Sequence, residues 1–351
     1  MEDVLGYMLS PSNLFENTQK LLRENKGILA MDESISTIGK RFHSISCENT
    51  VQNRHSYRRL LLDCPTIENY ISGCILSEDT LDQIPLCNKN IMYGIKLDYG
   101  LTPFIGGLPN EMSSIGLDTL DSRCKKYFHK GARFAKWRTV FSIQDGKVPS
   151  DLILHENCWT LSRFARICQE NGLVPMVEPE ILMDGNHSLE VCGLVQEKVL
   201  RTLYSFMRHN NVYLQGSLLK TSITLPGIDS TDVINENDVG YITNKILENS
   251  VPKEVPGILF LSGGLSETEA TRYLYKIKTC STNKNRILSF SFGRALQHSC
   301  LQSWNGKEEN REKAQEMLLI RAKRNSDTLK GIFHKETDNA SKNLFLKNYK
   351  Y

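Results

Sequence analysis

Eight short apolar runs recur along the chain, and a longer stretch separates each run from the next. The runs are rich in β-branched residues and have the length of β-strands. In the stretches between them, such as 189–209 and 266–278, apolar residues recur at spacings of three and four, which predicts helices. The eight runs are residues 27–33, 71–77, 92–98, 132–138, 173–181, 212–220, 257–264 and 286–294.

Strands that are apolar throughout and alternate with helices form parallel sheets that helices cover on both faces. Eight such units predict a (β/α)8 barrel, the TIM-barrel fold of the α/β class, as a single domain within residues 1–330. In such barrels, the reacting groups gather in the loops that follow the C-terminal ends of the strands. The polar residues of this chain that carry chemistry are therefore sought at the ends of the eight runs.

The charge pattern excludes several classes of partner. The formal net charge of the 351 residues is +3, and lysines and arginines form no continuous block. This argues against a nucleic-acid partner and suits an anionic small molecule. No segment reaches the roughly 18 apolar residues of a membrane span, and residues 1–20 lack the apolar core of a signal peptide. We therefore expect a cytoplasmic protein with no membrane partner.

The cysteines and histidines are not spaced as metal ligands usually are. The ten cysteines include no CxxC pair, and the eight histidines include no HxH or HxxxH pair. Metal catalysis needs several such side chains to converge on one ion. The sequence therefore predicts reduced structural thiols, no metal site and no cofactor.

A lysine ends the sixth run. Lys220 follows two leucines, so its amine is expected where the barrel interior meets the mouth, close to Lys136 of the fourth run. Burial and a nearby like charge both favour an uncharged amine, which is the form that attacks a carbonyl carbon. A lone lysine at a strand end is more often a surface residue, but this position makes Lys220 a candidate nucleophile.

Carboxyl groups end two further runs. Glu178 and Glu180 are two residues apart on one strand, as are Lys136 and Arg138, so each pair shares one face of its strand. Such pairs alone are ordinary ion pairs. Beside a reacting amine, however, a carboxyl group can donate and accept the protons that iminium formation and hydrolysis require. Asp32, at the end of the first run, is suited to take the hydroxyl proton when a carbon–carbon bond breaks.

Two groups of residues are candidates for phosphate binding. The turn Ser262-Gly263-Gly264 ends the seventh run and Gly293-Arg294 ends the eighth, where barrels of this type commonly hold a phosphate on backbone N–H groups. A second anion site on the opposite side is predicted from Ser34, Thr37, Arg41 and Lys96. Two phosphate sites on either side of an amine indicate a bisphosphorylated substrate.

These segments together resemble the class I fructose-bisphosphate aldolases, from near the N-terminus to the last residue. The similar segments follow the family's order, so the match does not depend on one motif. They are GILAMDES (27–34), ENTVQNRHSYRRLLL (48–62), GIKLD (94–98), FAKWR (134–138), VPMVEPEIL (174–182), GSLLK (216–220), LSGG with the following SE and EA (261–270) and GRALQ (293–297).

The resemblance assigns a role to each candidate. It implies that Lys220 forms the Schiff base, that Glu178 handles the water of the carbinolamine, and that Asp32 is the base for C3–C4 cleavage. It places Lys136 beside the iminium and gives Arg138 and Glu180 an orienting role. It also implies one phosphate site made of Ser262, Gly263, Gly264, Ser291, Gly293 and Arg294, and a second approached by Ser34, Arg41 and Lys96.

The resemblance also concerns the C-terminus and the assembly. It implies that residues 331–351, which are polar and weakly periodic, form a mobile tail whose terminal Tyr351 exchanges a proton with the enamine. It further implies a homotetramer. Cytoskeletal and other protein partners leave no readable pattern in the sequence.

The activity that the resemblance implies is the reversible cleavage of fructose 1,6-bisphosphate to glycerone phosphate and glyceraldehyde 3-phosphate, in glycolysis and gluconeogenesis. Two alternatives stay open: another Schiff-base barrel aldolase that acts on a monophosphate, and a binding or scaffold protein with an aldolase-like barrel. The sequence departs from the family near the nucleophile, with Thr221-Ser222 in place of the usual Pro-Asn and Gln215 in place of a glutamate. The preference between fructose 1,6-bisphosphate and fructose 1-phosphate is therefore left open.

Overall fold

A computed structural model describes residues 11–86, 88, 90–143, 146–283, 286–335 and 343–347. Within them, eight parallel strands close into a barrel, which confirms the predicted (β/α)8 fold. The barrel strands are β1 (Gly27–Met31), β2 (Ile71–Leu76), β3 (Met92–Lys96), β6 (Phe134–Phe141), β7 (Val174–Ile181), β8 (Leu218–Thr221), β9 (Gly257–Phe260) and β10 (Ile287–Phe292), and β10 pairs with β1. A separate antiparallel pair consists of β4 (Leu101–Pro103) and β5 (Met112–Ser114).

Helices connect the strands, and serine or threonine begins many of them. The described α-helices are α1 (Pro11–Leu21), α2 (Ile35–His43), α3 (Val51–Leu62), α4 (Glu78–Gln83), α5 (Leu120–His129), α6 (Asp151–Glu170), α7 (Leu189–His209), α8 (Glu236–Ser250), α9 (Glu267–Cys280), α10 (Arg294–Trp304) and α11 (Arg311–Leu329). Before α2, α3, α4, α6, α7 and α9, a serine or threonine hydroxyl accepts a hydrogen bond from the backbone three residues on. Each such cap contributes about 1 kcal/mol.

The lower half of the barrel is filled by apolar side chains. Inward-facing residues such as Ile28, Phe134 and Leu218 form one buried cluster with Leu14 and Leu21 of α1. Helix α1 packs against the first residues of several strands, where the Ser72 hydroxyl donates to the Leu21 carbonyl at 2.5 Å. Within the described residues, apolar side chains thus close the N-terminal end of the barrel.

The inward-facing side chains are apolar in the lower half of the barrel and charged toward the C-terminal ends of the strands. In β6 the inward positions are Phe134, Lys136 and Arg138, and in β8 they are Leu218 and Lys220. Because successive side chains of a strand point to opposite faces, the residue two positions after an inward core side chain also points inward, and in β6 and β8 it is charged. The core therefore fixes the height and direction of the charged side chains.

Glycine makes room for the aromatic residues inside the barrel. Gly94 of β3 pairs in register with Phe134 of β6, and a Cβ on Gly94 would lie 2.4 Å from the Phe134 ring. Gly27 has the same relation to Phe290, at 2.3 Å. These contacts are too short for any side chain, so the two rings occupy space that only glycine leaves open.

The observed strands differ from the prediction in several places. The run 132–138 was expected to end at Arg138, but β6 continues to Phe141. The run 212–220 was expected to be strand throughout, but Leu214–Gly216 forms a 3-10 turn and β8 begins at Leu218. The pairing of β4 with β5 was not predicted, because three-residue strands are too short to show a period.

Asp327 near the end of α11 should stabilise the fold in a pH-dependent way. Its carboxylate lies 2.5 Å from Lys323 Nζ, 3.2 Å from Lys330 Nζ and 2.9 Å from His334 Nε2. Burial alone would raise the pKa of Asp327, but hydrogen bonds from these three partners outweigh burial and lower it to about 2. Since this pKa is below the ordinary value, the stabilisation is complete above about pH 4 and is lost as the pH falls toward 2.

Asp327→Asn should therefore lower the free energy of unfolding by about 1 kcal/mol at pH 7, given solvent screening of the exposed lysines, and by about half of that at pH 3. Urea unfolding of the variant and the wild type at both pH values measures this difference. A penalty of equal size at pH 7 and pH 3 would show that packing, and not the charge of Asp327, is responsible.

Among the described helices, none combines the length and the hydrophobicity that crossing a membrane requires. The division into a barrel domain, residues 1–330, and a mobile tail, residues 331–351, stays a prediction. Tyr351 lies outside the described residues.

Candidate active site

A polar pocket lies at the C-terminal ends of the barrel strands. Its lining includes six cationic and four anionic side chains. Of the predicted site residues, those that line the pocket are Asp32, Arg41, Lys96, Lys136, Arg138, Glu178, Glu180, Lys220, Ser262, Gly263, Ser291, Gly293 and Arg294. Ser34, Thr37 and Gly264 lie beside the pocket without lining it, and Tyr351 lies outside the described residues.

Four side chains form a continuous chain of ion pairs on the pocket floor. Lys220 Nζ lies 3.0 Å from one oxygen of Glu178, and Lys136 Nζ lies 2.9 Å from the other. Lys136 Nζ also lies 3.0 Å from Asp32 Oδ2. These contacts join three strands, because β7 carries Glu178, β6 carries Lys136 and β8 carries Lys220. Within the described residues, no group of three His, Cys, Asp or Glu side chains could hold a metal ion.

The surroundings of Lys136 and Asp32 determine their charges. Burial alone would lower the pKa of Lys136, but the carboxylates of Asp32, Glu178 and Asp98 outweigh burial and raise it well above the ordinary value. Burial would raise the pKa of Asp32, but Lys136 and the neighbouring lysines lower it well below the usual range. At neutral pH, Lys136 is therefore an ammonium ion and Asp32 a carboxylate.

Lys220 is buried, with 4% of its surface exposed. The sequence predicted Lys136 close to Lys220, and the Glu178 carboxylate lies between the two amines and contacts both. This carboxylate is within hydrogen-bond distance of Lys220 Nζ. It can take the proton that Lys220 must lose before its amine attacks a carbonyl carbon.

Two further ion pairs hold the walls of the pocket. Arg138 Nε donates to Glu180, and Lys96 Nζ lies 2.8 Å from Asp98 Oδ1. Burial would raise the pKa of Glu180, but Arg138 outweighs burial and lowers it. Glu180 therefore stays a carboxylate and keeps the Arg138 guanidinium in a fixed direction.

One wall of the pocket has the features of an anion site. Ser291 is 1% exposed and lines the pocket, and its hydroxyl has no hydrogen-bond partner among the described residues. Gly263 and Gly264 adopt φ values of +57° and +104°, which let their backbone turn beneath the pocket. Gly293 is the residue before α10 and lines the pocket, so the N-terminus of this helix lies at the same wall as Ser291. A buried hydroxyl without a partner is a donor that a ligand oxygen can satisfy.

The described part of the C-terminal segment contacts this wall. An Arg294 Nη1 donates to the Leu344 carbonyl, and the Leu344 N–H donates to the Gly264 carbonyl at 3.1 Å. Residues 343–347 therefore reach the residues predicted to hold one phosphate.

Arg41 and Lys96 also line the pocket. Lys96 ends β3, three strands from β10, whereas Arg41 pairs with Glu33 just after β1, the strand next to β10. Ser34 and Thr37 instead bond to one another at the start of α2, where the Ser34 hydroxyl lies 3.0 Å from Thr37 Oγ1 and accepts from the Thr37 N–H at 3.3 Å. Glu33, which the sequence did not single out, also lines the pocket and pairs with Arg41. The sequence offered one indication of this role: Glu33 follows Asp32 at the end of the first run.

Comparison with known proteins agrees with this geometry. The family model for class-I fructose-bisphosphate aldolase matches residues 13–351. The chain belongs to this family. It is therefore a carbon–carbon lyase with the class I aldolase fold, and the resemblance read from the motifs is confirmed.

The relatives of this aldolase family cover most of the chain. This chain is 47% identical to a fructose-bisphosphate aldolase of Plasmodium falciparum, and the match covers 96% of this chain and 94% of the relative. It is 46% identical to the cytosolic fructose-bisphosphate aldolase 4 of Arabidopsis thaliana, over 96% and 88%. A solved structure of the Plasmodium falciparum aldolase, in complex with TRAP and a small-molecule inhibitor, covers 95% of this chain and 97% of its own with a TM-score of 0.91 and 46% identity.

The departure from the aldolase pattern after Lys220 lies behind the pocket wall. Gln196 of α7 donates to Thr221 Oγ1 at 3.1 Å and to the Ser222 carbonyl at 2.8 Å. The Ser222 hydroxyl accepts from the Ile181 N–H at 2.9 Å. Thr221 and Ser222 thus tie β8 to β7 and α7, and neither lines the pocket.

Proposed function

We propose that this chain cleaves fructose 1,6-bisphosphate reversibly to glycerone phosphate and glyceraldehyde 3-phosphate through a Schiff base on Lys220. One observation carries the proposal: the buried Lys220 amine lies 3.0 Å from Glu178, which also contacts Lys136 beside Asp32. This arrangement supplies a nucleophile, a proton carrier and a separate base within one pocket.

The reaction begins with capture of the ketone. Glu178 takes a proton from the Lys220 ammonium, and the free amine attacks C2 of the sugar to form a carbinolamine. Glu178 then returns the proton to the carbinolamine hydroxyl, which leaves as water while the C2–N double bond of the iminium forms. Lys136 remains an ammonium ion and stabilises the Glu178 carboxylate whenever it is ionised.

The positively charged iminium can accept the electrons of the C3–C4 bond, and this makes cleavage possible. Asp32 takes the proton of the C4 hydroxyl, the oxygen electrons form the aldehyde, and the C3–C4 bond electrons move toward the iminium nitrogen. Glyceraldehyde 3-phosphate leaves, and an enamine stays on Lys220. We assign to Tyr351 the return of a proton to C3, after which water hydrolyses the iminium and glycerone phosphate leaves.

We place the two phosphates at different parts of the pocket. Asp32 acts on the C4 hydroxyl and is followed directly by Glu33, the partner of Arg41, so the C4–C6 half of the sugar lies toward Arg41 and Lys96. The 6-phosphate then binds at Arg41 and Lys96. The 1-phosphate, one carbon from the Schiff base, binds at Ser291, Arg294 and the backbone of Gly263 and Gly293.

Borohydride trapping tests the covalent step. Reduction in the presence of fructose 1,6-bisphosphate should add the mass of a reduced triose or hexose phosphate to the peptide that carries Lys220, as measured by mass spectrometry. A coupled cleavage assay at neutral pH should show activity that excess chelator does not remove. Labelling at another lysine, or none, would refute the mechanism.

The same assay separates the alternatives. An aldolase for monophosphates would cleave fructose 1-phosphate and gain nothing from the second phosphate. A scaffold would cleave neither substrate. The buried, ionised Asp32 supports an enzyme, because a scaffold has no need for a buried charge at a pocket floor. The Ser291 hydroxyl, which has no partner among the described residues, supports a ligand site in the same pocket.

We also propose a cytoplasmic location, a role in glycolysis and assembly as a homotetramer, on the basis of family membership. The Arabidopsis thaliana relative is described as cytosolic, and other relatives are chloroplastic. The complex of the Plasmodium falciparum aldolase with TRAP suggests that this chain, too, has protein partners. Size-exclusion chromatography with light scattering tests the tetramer.

A further inference from the structure

A buried cluster of charges lies behind the Arg41 wall of the pocket. Glu33 has a side chain that is 3% exposed and pairs with two arginines at once. Its Oε1 accepts from Arg41, and its Oε2 lies 2.6 Å from Arg58 Nη1 of α3. The other guanidinium nitrogen, Arg58 Nη2, donates to the Glu33 carbonyl at 3.3 Å. Arg58 is 4% exposed and does not line the pocket.

The orientation of Glu33 is fixed from a third direction. Gln297 of α10 donates through Nε2 to the Ala30 carbonyl at 2.6 Å and to Glu33 Oε1 at 3.2 Å. The Tyr57 hydroxyl holds Gln297 in turn, because it donates to Gln297 Oε1 at 3.1 Å. The Glu33 carboxylate is therefore held in one orientation, with one oxygen on Arg41 and the other on Arg58.

Glu33 pairs with both Arg41 and Arg58, and these three side chains determine the charge of this wall. Glu33 is ionised: burial alone would raise its pKa, but Arg41 and Arg58 outweigh burial and lower it. With both arginines present, the group of three carries a formal charge of +1. Without Arg58, Glu33 and Arg41 would form a neutral pair, and the wall would attract an anion less strongly.

We propose that Arg58 determines specificity for the second phosphate: by sharing Glu33, it leaves positive charge on Arg41 for the 6-phosphate of the substrate. Arg58 is a positioning residue that acts through Glu33 and Arg41 and does not touch the substrate. The inference rests on the proposed function, because it assumes that a sugar bisphosphate occupies the pocket.

Arg58→Gln tests this inference through the two substrates. The KM for fructose 1,6-bisphosphate should rise about tenfold, since one unit of charge near the phosphate is lost in a partly buried site. The KM for fructose 1-phosphate, which has no second phosphate, should change less than about twofold. Arg58→Lys keeps the charge and should restore most of the affinity for the bisphosphate. Equal losses with both substrates, or no loss, would overturn the proposal.

Two further variants separate charge from folding. Arg59→Gln is the matched control. Arg59 is the next residue of α3, and its Nε lies 2.9 Å from Asp63 Oδ2. This ion pair does not line the pocket. The two KM values of this variant should not change. The double variant Glu33→Gln/Arg58→Gln removes one charge of each sign and should recover much of the affinity for the bisphosphate that Arg58→Gln loses. A structural role for Arg58 predicts a further loss instead.

The outcome for the wild type distinguishes this inference from the proposed function. If the wild-type protein cleaves neither substrate, the proposed function fails. Calorimetric titration with fructose 1,6-bisphosphate and with fructose 1-phosphate then tests the charge inference by itself. The same tenfold difference between wild type and Arg58→Gln should appear in Kd for the bisphosphate, and its absence would refute the inference.

Discussion

Lys220→Met should reduce the cleavage of fructose 1,6-bisphosphate by roughly 10⁴-fold or more and abolish borohydride trapping. Methionine has about the same length and fills the same space at the end of β8, but it has no amine to form the covalent intermediate. Glu178 keeps its contact with Lys136, so the fold should be retained. A coupled assay gives the rate, and mass spectrometry after reduction gives the extent of trapping.

The matched control is Lys198→Met on α7. Lys198 forms a surface ion pair with Asp151 at 2.6 Å, and 54% of its side chain is exposed. Its loss should leave both rate and trapping unchanged. If Lys220→Met kept more than about a hundredth of the wild-type rate at an unchanged melting temperature, another amine would have to be the nucleophile.

Asp32→Asn should lower kcat by about 10²- to 10³-fold while leaving Schiff-base formation intact. The reason is the division of labour on the pocket floor. Glu178 contacts the nucleophile, and Asp32 lies on the far side of Lys136, 3.0 Å from its Nζ. An amide cannot accept the C4 hydroxyl proton, so the sugar should accumulate as an uncleaved iminium.

Single-turnover mixing followed by borohydride shows this difference directly. Asp32→Asn should trap the intact hexose bisphosphate on Lys220, whereas Glu178→Gln should trap little of any adduct because carbinolamine dehydration is slowed. Equal loss of trapping in both variants would contradict the separate roles. A trapped triose in Asp32→Asn would mean that another base performs the cleavage.

The fold could be read from the sequence because the barrel strands are mostly apolar on both faces. The clearest errors have physical causes. Charged residues were taken as strand ends, so β6 was ended at Arg138, although the strand continues to Phe141. Charges are tolerated inside the barrel there because Glu180 on the adjacent strand compensates Arg138. The run that begins at residue 212 was predicted as a strand, but Leu214–Gly216 forms a 3-10 turn. A Cβ on Gly216 would lie 2.8 Å from Leu14 Cβ, so this turn fits against α1 only with glycine.

The candidate site was predictable where a charge follows an apolar run, as at Lys220 and Glu178. It was less predictable where partners come from distant segments. Nothing in the order of residues joins Glu33 to Arg58, which meet only when α3 packs beside β1. Ser34 and Thr37 were predicted as phosphate contacts, yet their spacing of three residues is equally that of a helix cap, and they form the cap of α2.

Inward and outward positions alternate along β6, so the face on which each side chain lies depends on the number of strand residues before it. Deleting Ala135 within β6 would turn Lys136 and Arg138 toward the surrounding helices and would bring Trp137 into the lumen. The protein would then lose its stability and its chemistry in one step. Changes in length during evolution must therefore fall in the loops, and the strands can vary only by substitution.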